Sequence, residues 1–397
     1  MTSMTRRRVL AATGALTVGT TALTTGASAD VDGDGMVVFV YDDSPIEDYT
    51  STYPIHQEYD VPGCVAACPG LMAASDEFMD PDQLTEMYED GWEVMSHTID
   101  HRALGHTPLE RDAESGDDRL YVGSNLHGDH PGDPLVVLDG DREIEATVAG
   151  QGVDGDDHYV ELESGLEESI EATDETVVRY TEEFTREILE ESKAMIEEWG
   201  VPVTGFVYTY DRYHGIVEEL VPEYYETTPN YRSHDGINPL DAIDPFQLYR
   251  RYIETDWATT DEIEQFMATT AEEGHLGIVS GHSQFETLPA DRIEFTIEAA
   301  LEHDLRIVTL QEALEELGHL EVHDVDVDDG DDSDDGEAAD DGSENATESD
   351  DGGTNSTADD ASDGMPGFGA AVGAAGVAGG AALAARKLAS RGDDRER

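Results

Sequence analysis

From Met36 onward, short apolar runs alternate with longer amphipathic ones. "MVVFVYDD", "GCVAAC" and "WEVMSH" are β-branched or small and apolar throughout, the pattern of strands buried on both faces. Between them, "PDQLTEMYEDG" sets Leu84, Met87 and Tyr88 on one helical face and closes at Gly91. Further along, "YTEEFTREILEESKAMIEEWG", "DEIEQFMATTAEEG", "ADRIEFTIEAALEH" and "LQEALEELG" read as helices. "VTGFVYTY", "EYYETT", "YRRYIE", "LGIVSGH" and "LRIVTL" read as the strands between them. Alternation on this scale predicts a parallel α/β sheet, and the number of units predicts a closed or nearly closed, distorted (β/α) barrel.

One segment breaks the rhythm. From Asp117 to Thr176, "RLYVGS", "PLVVLDGD", "EIEATVAG" and "HYVELES" alternate with period two between Gly and Asp turns, with no helical pattern among them. The barrel is therefore expected over residues 30–116 and 177–323, with a β-rich insertion over 117–176. An inserted segment of this size either flanks a site or serves as a structural flap.

Both ends lie outside that body. Adjacent arginines in "MTRRRVL", a weakly apolar Ala/Thr/Gly run and the small residues Ala27-Ser28-Ala29 have the layout of a twin-arginine export signal over residues 1–29. Residues 324–364 are Asp, Glu, Gly, Ser, Thr, Ala and Asn almost throughout, too polar to bury a core, and are expected to be a disordered linker. Over 365–397 an uncharged Ala/Gly-rich run from Phe368 to Ala385 precedes Arg386, Lys387 and Arg391, the charge pattern of a membrane anchor.

Charge excludes one class of partner. The chain carries 92 acidic and 21 basic residues, and positions 30–323 alone hold 71 acidic against 13 basic. Such a surface stays hydrated and screened in concentrated salt. Nucleic acid is excluded, because few cations exist to displace phosphate counterions. Cys64 and Cys68, on a strand, would have Cα atoms about 13 Å apart, beyond bridging distance, so both are expected as free buried thiols.

At one face of a barrel the strand C-termini gather. Here the first strand ends in Asp42-Asp43, the third runs into His97, and a late one ends at Gly281-His282. His97 and His101 are four apart, so in a helical turn their Cβ atoms would sit about 6 Å apart on one side, close enough to chelate one ion. With one carboxylate added, three protein ligands leave room for water and substrate, the open arrangement of a hydrolytic metal.

The motifs then become specific. "VFVYDDSP" resembles the T-F-D-D-G motif of NodB-type polysaccharide deacetylases, and "SHTIDH" their S/N-H-S/T-x-x-H motif. In order along the body, "GFVYTYDRY", "IETDWAT" and "LGIVSGH" stand where the third, fourth and fifth motifs fall. The resemblance implies a distorted (β/α) barrel holding a divalent ion, most often zinc, on Asp43, His97 and His101. It further implies Asp42 as general base, His282 as general acid to the leaving amine, and an acylated glycan as substrate. Tyr210 would contact substrate or oxyanion, and Trp257 would form an apolar wall beside the acetyl group or pack in the core. Asp256 would orient a site residue from behind rather than bind the ion. "MPGFGAAVG" likewise resembles the archaeal PGF-type sorting signal, which implies a sorting enzyme and attachment at the outer face of the membrane.

Two positions depart from the pattern. Ser44 replaces the glycine of the first motif, and the third motif lacks the arginine that many members use to orient the aspartate base; Arg212 stands nearby to supply that charge. A degenerate third motif also suits a second class, a surface protein that binds carbohydrate without turning it over. Hydrolysis of another C–N bond or an ester would use the same chemistry. His106, His127, His130 and His234 receive no role.

Overall fold

The computed structural model describes residues 35–233 and 236–321. The export signal, the acidic linker, the C-terminal anchor and His234 lie outside the described residues. Three strands open the body: β1 (Met36–Tyr41), β2 (Cys64–Ala67) and β3 (Glu93–Ser96). The next six are β4 (Thr107–Pro108), β5 (Arg119–Tyr121), β6 (Pro134–Asp139), β7 (Arg142–Asp154), β8 (Asp157–Leu162) and β9 (Thr176–Tyr180). The last five are β10 (Arg232–Ser233), β11 (Ile237–Asn238), β12 (Tyr249–Tyr252), β13 (Leu276–Gly281) and β14 (Arg306–Ile307). Helices α1 (Tyr53–Tyr59), α2 (Pro69–Ala74) and α3 (Pro81–Glu89) lie among the first three strands. Then come α4 (Glu182–Glu197), α5 (Val217–Leu220), α6 (Thr260–Glu273), α7 (Ala290–Glu302) and α8 (Leu310–Glu316).

β1 is the central staff. It pairs parallel with β13 from Met36↔Leu276 to Tyr41↔Gly281, and with β2 at Val40↔Cys64. β2 pairs parallel with β3, β13 with β12, and β12 with β10. Alternate side chains of β1 enter two different cores. Met36, Val38 and Val40 join Cys64, Ala66, Met95, Leu248 and Ile278 inside the curl, with Leu310 and Leu314 of α8 packed against them. Val37, Phe39 and Tyr41 face the helix layer with Val65, Ile293 and Ile297. At roughly 1.5–3 kcal/mol per buried large apolar side chain, this strand alone anchors both layers. Cys64 and Cys68 are free and buried, as expected.

The curl closes by single bridges rather than by ladders. Ser96 bridges Phe206, and Gly205 bridges Thr227, where two full strands were expected over "VTGFVYTY" and "EYYETT". The reason is local. The Asn230 side chain occupies both the N–H and the carbonyl of Tyr208, at 2.9 and 2.8 Å, and so stands in for a neighbouring strand. Tyr210 and Asp211 then turn left-handed, with φ of 55° and 53°.

The insertion is a second, antiparallel sheet in the order β4-β9-β6-β7-β8-β5. It is wider than the 117–176 span read from the sequence, because β4 at Thr107–Pro108 pairs with β9, which runs to Tyr180. β4 is too short to show an alternating pattern. Leu109, Leu120, Leu135 and Val178 belong to the same apolar core as the helix layer, so the sheet is packed onto the barrel. Among the described residues no helix is long and apolar enough to cross a membrane.

Candidate metal centre

The end of β1 delivers two aspartates to different places. Asp42 keeps the inward parity of Val38 and Val40 and donates its N–H to Gly281 O at 3.2 Å. Asp43 and Ser44 are then left-handed, φ 77° and 53°, which swings Asp43 out of line. Ser44 thus adopts the backbone that the motif's glycine would supply. Its hydroxyl holds the bend by donating to Asp43 O at 2.7 Å and accepting from Cys68 N at 3.1 Å.

β3 delivers His97. Its N–H donates to Ala67 O at 2.9 Å, and Nδ1 donates to Val207 O at 2.7 Å. A carbonyl only accepts, so Nδ1 is the donor, and Nε2 is the ring nitrogen left to face Asp43. His101 follows through a tight turn, not through the helical turn expected from the four-residue spacing; Thr98 and His101 both have φ 64°. Gly70 makes room for that turn, since a Cβ there would lie 2.8 Å from Ile99 O. The two imidazole centroids end 5.0 Å apart.

Asp43, His97 and His101 converge, with one ligand atom from each lying within 4.8 Å of the others. Asp43 Oδ1 is 3.0 Å from His101 Nε2 and 3.4 Å from His97 Nε2, and it has no hydrogen-bond partner although it is buried. Burial by itself would raise the Asp43 carboxyl; His101, His97 and His282 outweigh it and hold the group well below the usual range. Gln284 Nε2 donates to the other oxygen at 2.8 Å. A buried carboxylate oxygen and two imidazole nitrogens that converge on one point fit a divalent cation. Two histidines and one carboxylate is a donor set that zinc accepts.

Asp42 does not face that point alone. Arg250 of β12, buried, grips both its oxygens, Nη1 to Oδ1 at 2.9 Å and Nη2 to Oδ2 at 2.7 Å. Nη2 also donates to Asp211 Oδ1 at 2.9 Å and to the Tyr252 hydroxyl oxygen at 2.8 Å. Arg250 therefore holds the place considered for Arg212, which instead lines a small hollow with Ala103, His106 and His127.

On the far side of Asp42, His282 Nε2 lies 3.8 Å from its Oδ2. His282 Nδ1 donates to Glu254 Oε1 at 2.8 Å, and its main-chain N–H donates to the same oxygen at 3.2 Å. Burial works to lower the His282 pKa, but the Glu254 hydrogen bond and the charges of Asp43, Glu254 and Asp42 prevail and raise it to about 10. The orienting acid from the fourth motif is thus Glu254, buried at 1 % exposure, and not Asp256, which is exposed. The correction is one of chain path: β12 ends at Tyr252, Glu254 is still buried, and the chain then turns, with Trp257 N donating to Glu254 O at 3.0 Å, so that Asp256, of the same parity, is exposed.

Tyr210 reaches the site, its ring 4.4 Å from that of His101. Trp257 is 45 % exposed, so it is not a core residue; its ring lies 5.7 Å from Tyr252, which in turn stacks on His282 at 5.7 Å. It stands at the rim, outside the layer that touches Asp42.

A strand-end triad on a curled α/β barrel defines a scaffold suited to hold one cation in the open. The polysaccharide deacetylase family matches residues 29–118, the stretch that contains Asp42, Asp43, His97 and His101. The Bacillus subtilis (strain 168) protein YxkH, provisionally named a polysaccharide deacetylase, is 27% identical over 92 residues, which is 23% of this chain and 33% of that one. The chain thus matches about a third of that relative's length. Among solved structures, the Xyl-CE4 domain of a multidomain xylanase from the hindgut metagenome of Trinervitermes trinervoides aligns at TM-score 0.39 and 12% identity. It covers 72% of this chain and 92% of that one. A family 4 carbohydrate esterase from Streptomyces lividans aligns at TM-score 0.36 and 10% identity, over 70% and 92%. At these values the likeness is one of outline and says nothing of the site.

Proposed function

We propose that the chain is a cation-dependent hydrolase that removes acyl groups, N-acetyl first among them, from a glycan. The observation that carries this is the convergence of Asp43 Oδ1 with the Nε2 atoms of His97 and His101, flanked by Asp42 and His282. A divalent ion bound to the triad would polarise the acyl carbonyl and acidify water. The chain's own residues supply the rest. Arg250 fixes the plane of the Asp42 carboxylate, so that a proton taken from water has a defined destination. His282, held protonated against Glu254, gives a proton to the leaving amine. Tyr210 borders the acyl carbonyl from the His101 side, and Trp257 offers the sugar an apolar rim.

The alternative of a carbohydrate-binding protein without turnover is motivated by the missing arginine of the third motif. Arg250 offers that charge from another strand, which favours turnover, while Thr209 and Asp211 still depart from the motif. Export over residues 1–29 and anchoring at the outer face of the membrane through residues 365–397, with a sorting enzyme as partner, complete the proposal. The acidic surface fits work in concentrated salt.

Acetate release from N-acetylated glycans, measured in concentrated KCl, tests the reading. Turnover is expected with zinc, is lost on chelation, and falls about 100- to 10,000-fold in Asp42→Asn. Glycan binding with no acetate released by the zinc-loaded chain would leave the non-catalytic reading standing instead.

A further inference from the structure

The β-rich insertion is tied to the cation loop through one side chain. Arg102 directly follows His101. Its Nε donates to Asp133 Oδ2 at 2.7 Å and its Nη2 to Asp133 Oδ1 at 3.2 Å, while Nη1 reaches Asp100. Asp133 belongs to the insertion, immediately before β6. The side chains of the pair are 14% and 9% exposed, and the guanidinium lies 5.6 Å over the Phe184 ring. A bidentate arginine–carboxylate pair this dry fixes direction as well as distance.

The loop it holds needs fixing. Thr98 and His101 are both left-handed, and Thr98 is β-branched, for which that region is a true outlier. Such positions persist only where the surroundings over-determine them. One bond is internal to the loop, Arg102 N to Thr98 Oγ1 at 2.9 Å, and two come from the barrel side: Gly70 N donates to Ile99 O at 2.7 Å, and the Thr209 hydroxyl donates to Arg102 O. The insertion supplies the remainder. Besides Asp133, it places His130 Nδ1 3.8 Å from Asp100 Oδ2.

We propose that the insertion is a clamp on the cation loop, with Asp133 as the positioning residue that holds His101 in its ligating pose through Arg102. This rests on the cation site proposed above, not on the substrate assigned to it. Without the pair, residues 98–102 are released to relax out of the left-handed turn, and His101 leaves the point that Asp43 and His97 face.

The test is zinc affinity of the full chain by chelator competition in concentrated KCl, together with the rise in melting temperature that zinc produces. Asp133→Asn is expected to weaken zinc binding about tenfold or more, the usual scale for residues that orient a metal ligand. It should also shrink the zinc-dependent rise in melting temperature. Asp133→Glu, which keeps the carboxylate, should recover part of the affinity. Glu168→Gln breaks the exposed Arg142 pair elsewhere in the insertion and should bind zinc like the parent. An Asp133→Asn chain that folds and binds zinc as tightly as the parent overturns the clamp while leaving the triad intact. A parent chain that binds no zinc overturns the triad, and the clamp with it. Neither result depends on which glycan, if any, is cleaved.

Discussion

Arg250→Met is expected to lower acetate release about 100- to 10,000-fold and to destabilise the fold by about 3–5 kcal/mol. The guanidinium makes four hydrogen bonds in a buried setting: two to Asp42, one to Asp211 and one to the Tyr252 hydroxyl oxygen. Tyr252 in turn donates to Asp211 Oδ2 at 2.8 Å. Methionine fills much of the volume but leaves Asp42, itself 1 % exposed, without its two hydrogen-bonding donors and with only His282, 3.8 Å away, as a counter-charge. Removing one member of such a network is costlier than never having built it, because the remaining charge stays buried and unpaired. Lysine is not expected to rescue activity, since an ammonium cannot reproduce the fork that binds both Asp42 oxygens. Arg251→Met, the next residue in the strand, breaks only a 4.0 Å pair with Glu262 and should cost less than about 1 kcal/mol. Denaturant unfolding and initial rates on the three variants check this. A fully active Arg250→Met chain would remove Asp42 from the role of base.

Glu254→Gln should move the alkaline limb of the rate profile toward neutral pH by roughly 1–3 units. The sign follows from the direction of the His282 shift. Despite burial, which favours the neutral ring, the Glu254 contact and nearby carboxylates raise His282 to about 10. A donor of protons works below its pKa and fails as pH rises through it, so the parent chain should hold its rate on the alkaline side until near that value. A cation on Asp43 offsets that residue's share of the field, which lowers the limb somewhat and leaves Glu254 the larger part. Glutamine keeps a hydrogen-bond acceptor at Nδ1 but loses the charge. The acid limb, set by other groups, should move little. Equal limbs in both chains would show that His282 does not carry the proton that limits the rate.

Much of this site was legible before any coordinates. Asp42-Asp43 and His282 stand at the ends of buried apolar runs, and apolar runs of that kind announce strands whose ends share one face. What escaped was governed by geometry that spacing does not encode. His97 and His101 meet through left-handed residues and not through the helical turn that four-residue spacing suggests. Arg250 could have been found by parity: in "YRRY" one arginine must face inward, and in a chain so poor in cations an inward one needs a carboxylate opposite. The same count from Arg250 reaches Glu254 and Asp256 alike, and only the turn after β12, which spacing does not encode, leaves Asp256 exposed. The third motif failed as a strand because an asparagine side chain, Asn230, supplies the bonds a strand would. Asp133 had no signal at all, since its partner lies 31 positions away across an inserted sheet.

The most direct test is an anomalous difference map at the zinc edge from crystals of the full chain grown with zinc. One peak should lie about 2.0–2.2 Å from Asp43 Oδ1 and from the Nε2 atoms of His97 and His101. Zinc bound elsewhere, or these three side chains turned apart around water, would contradict it.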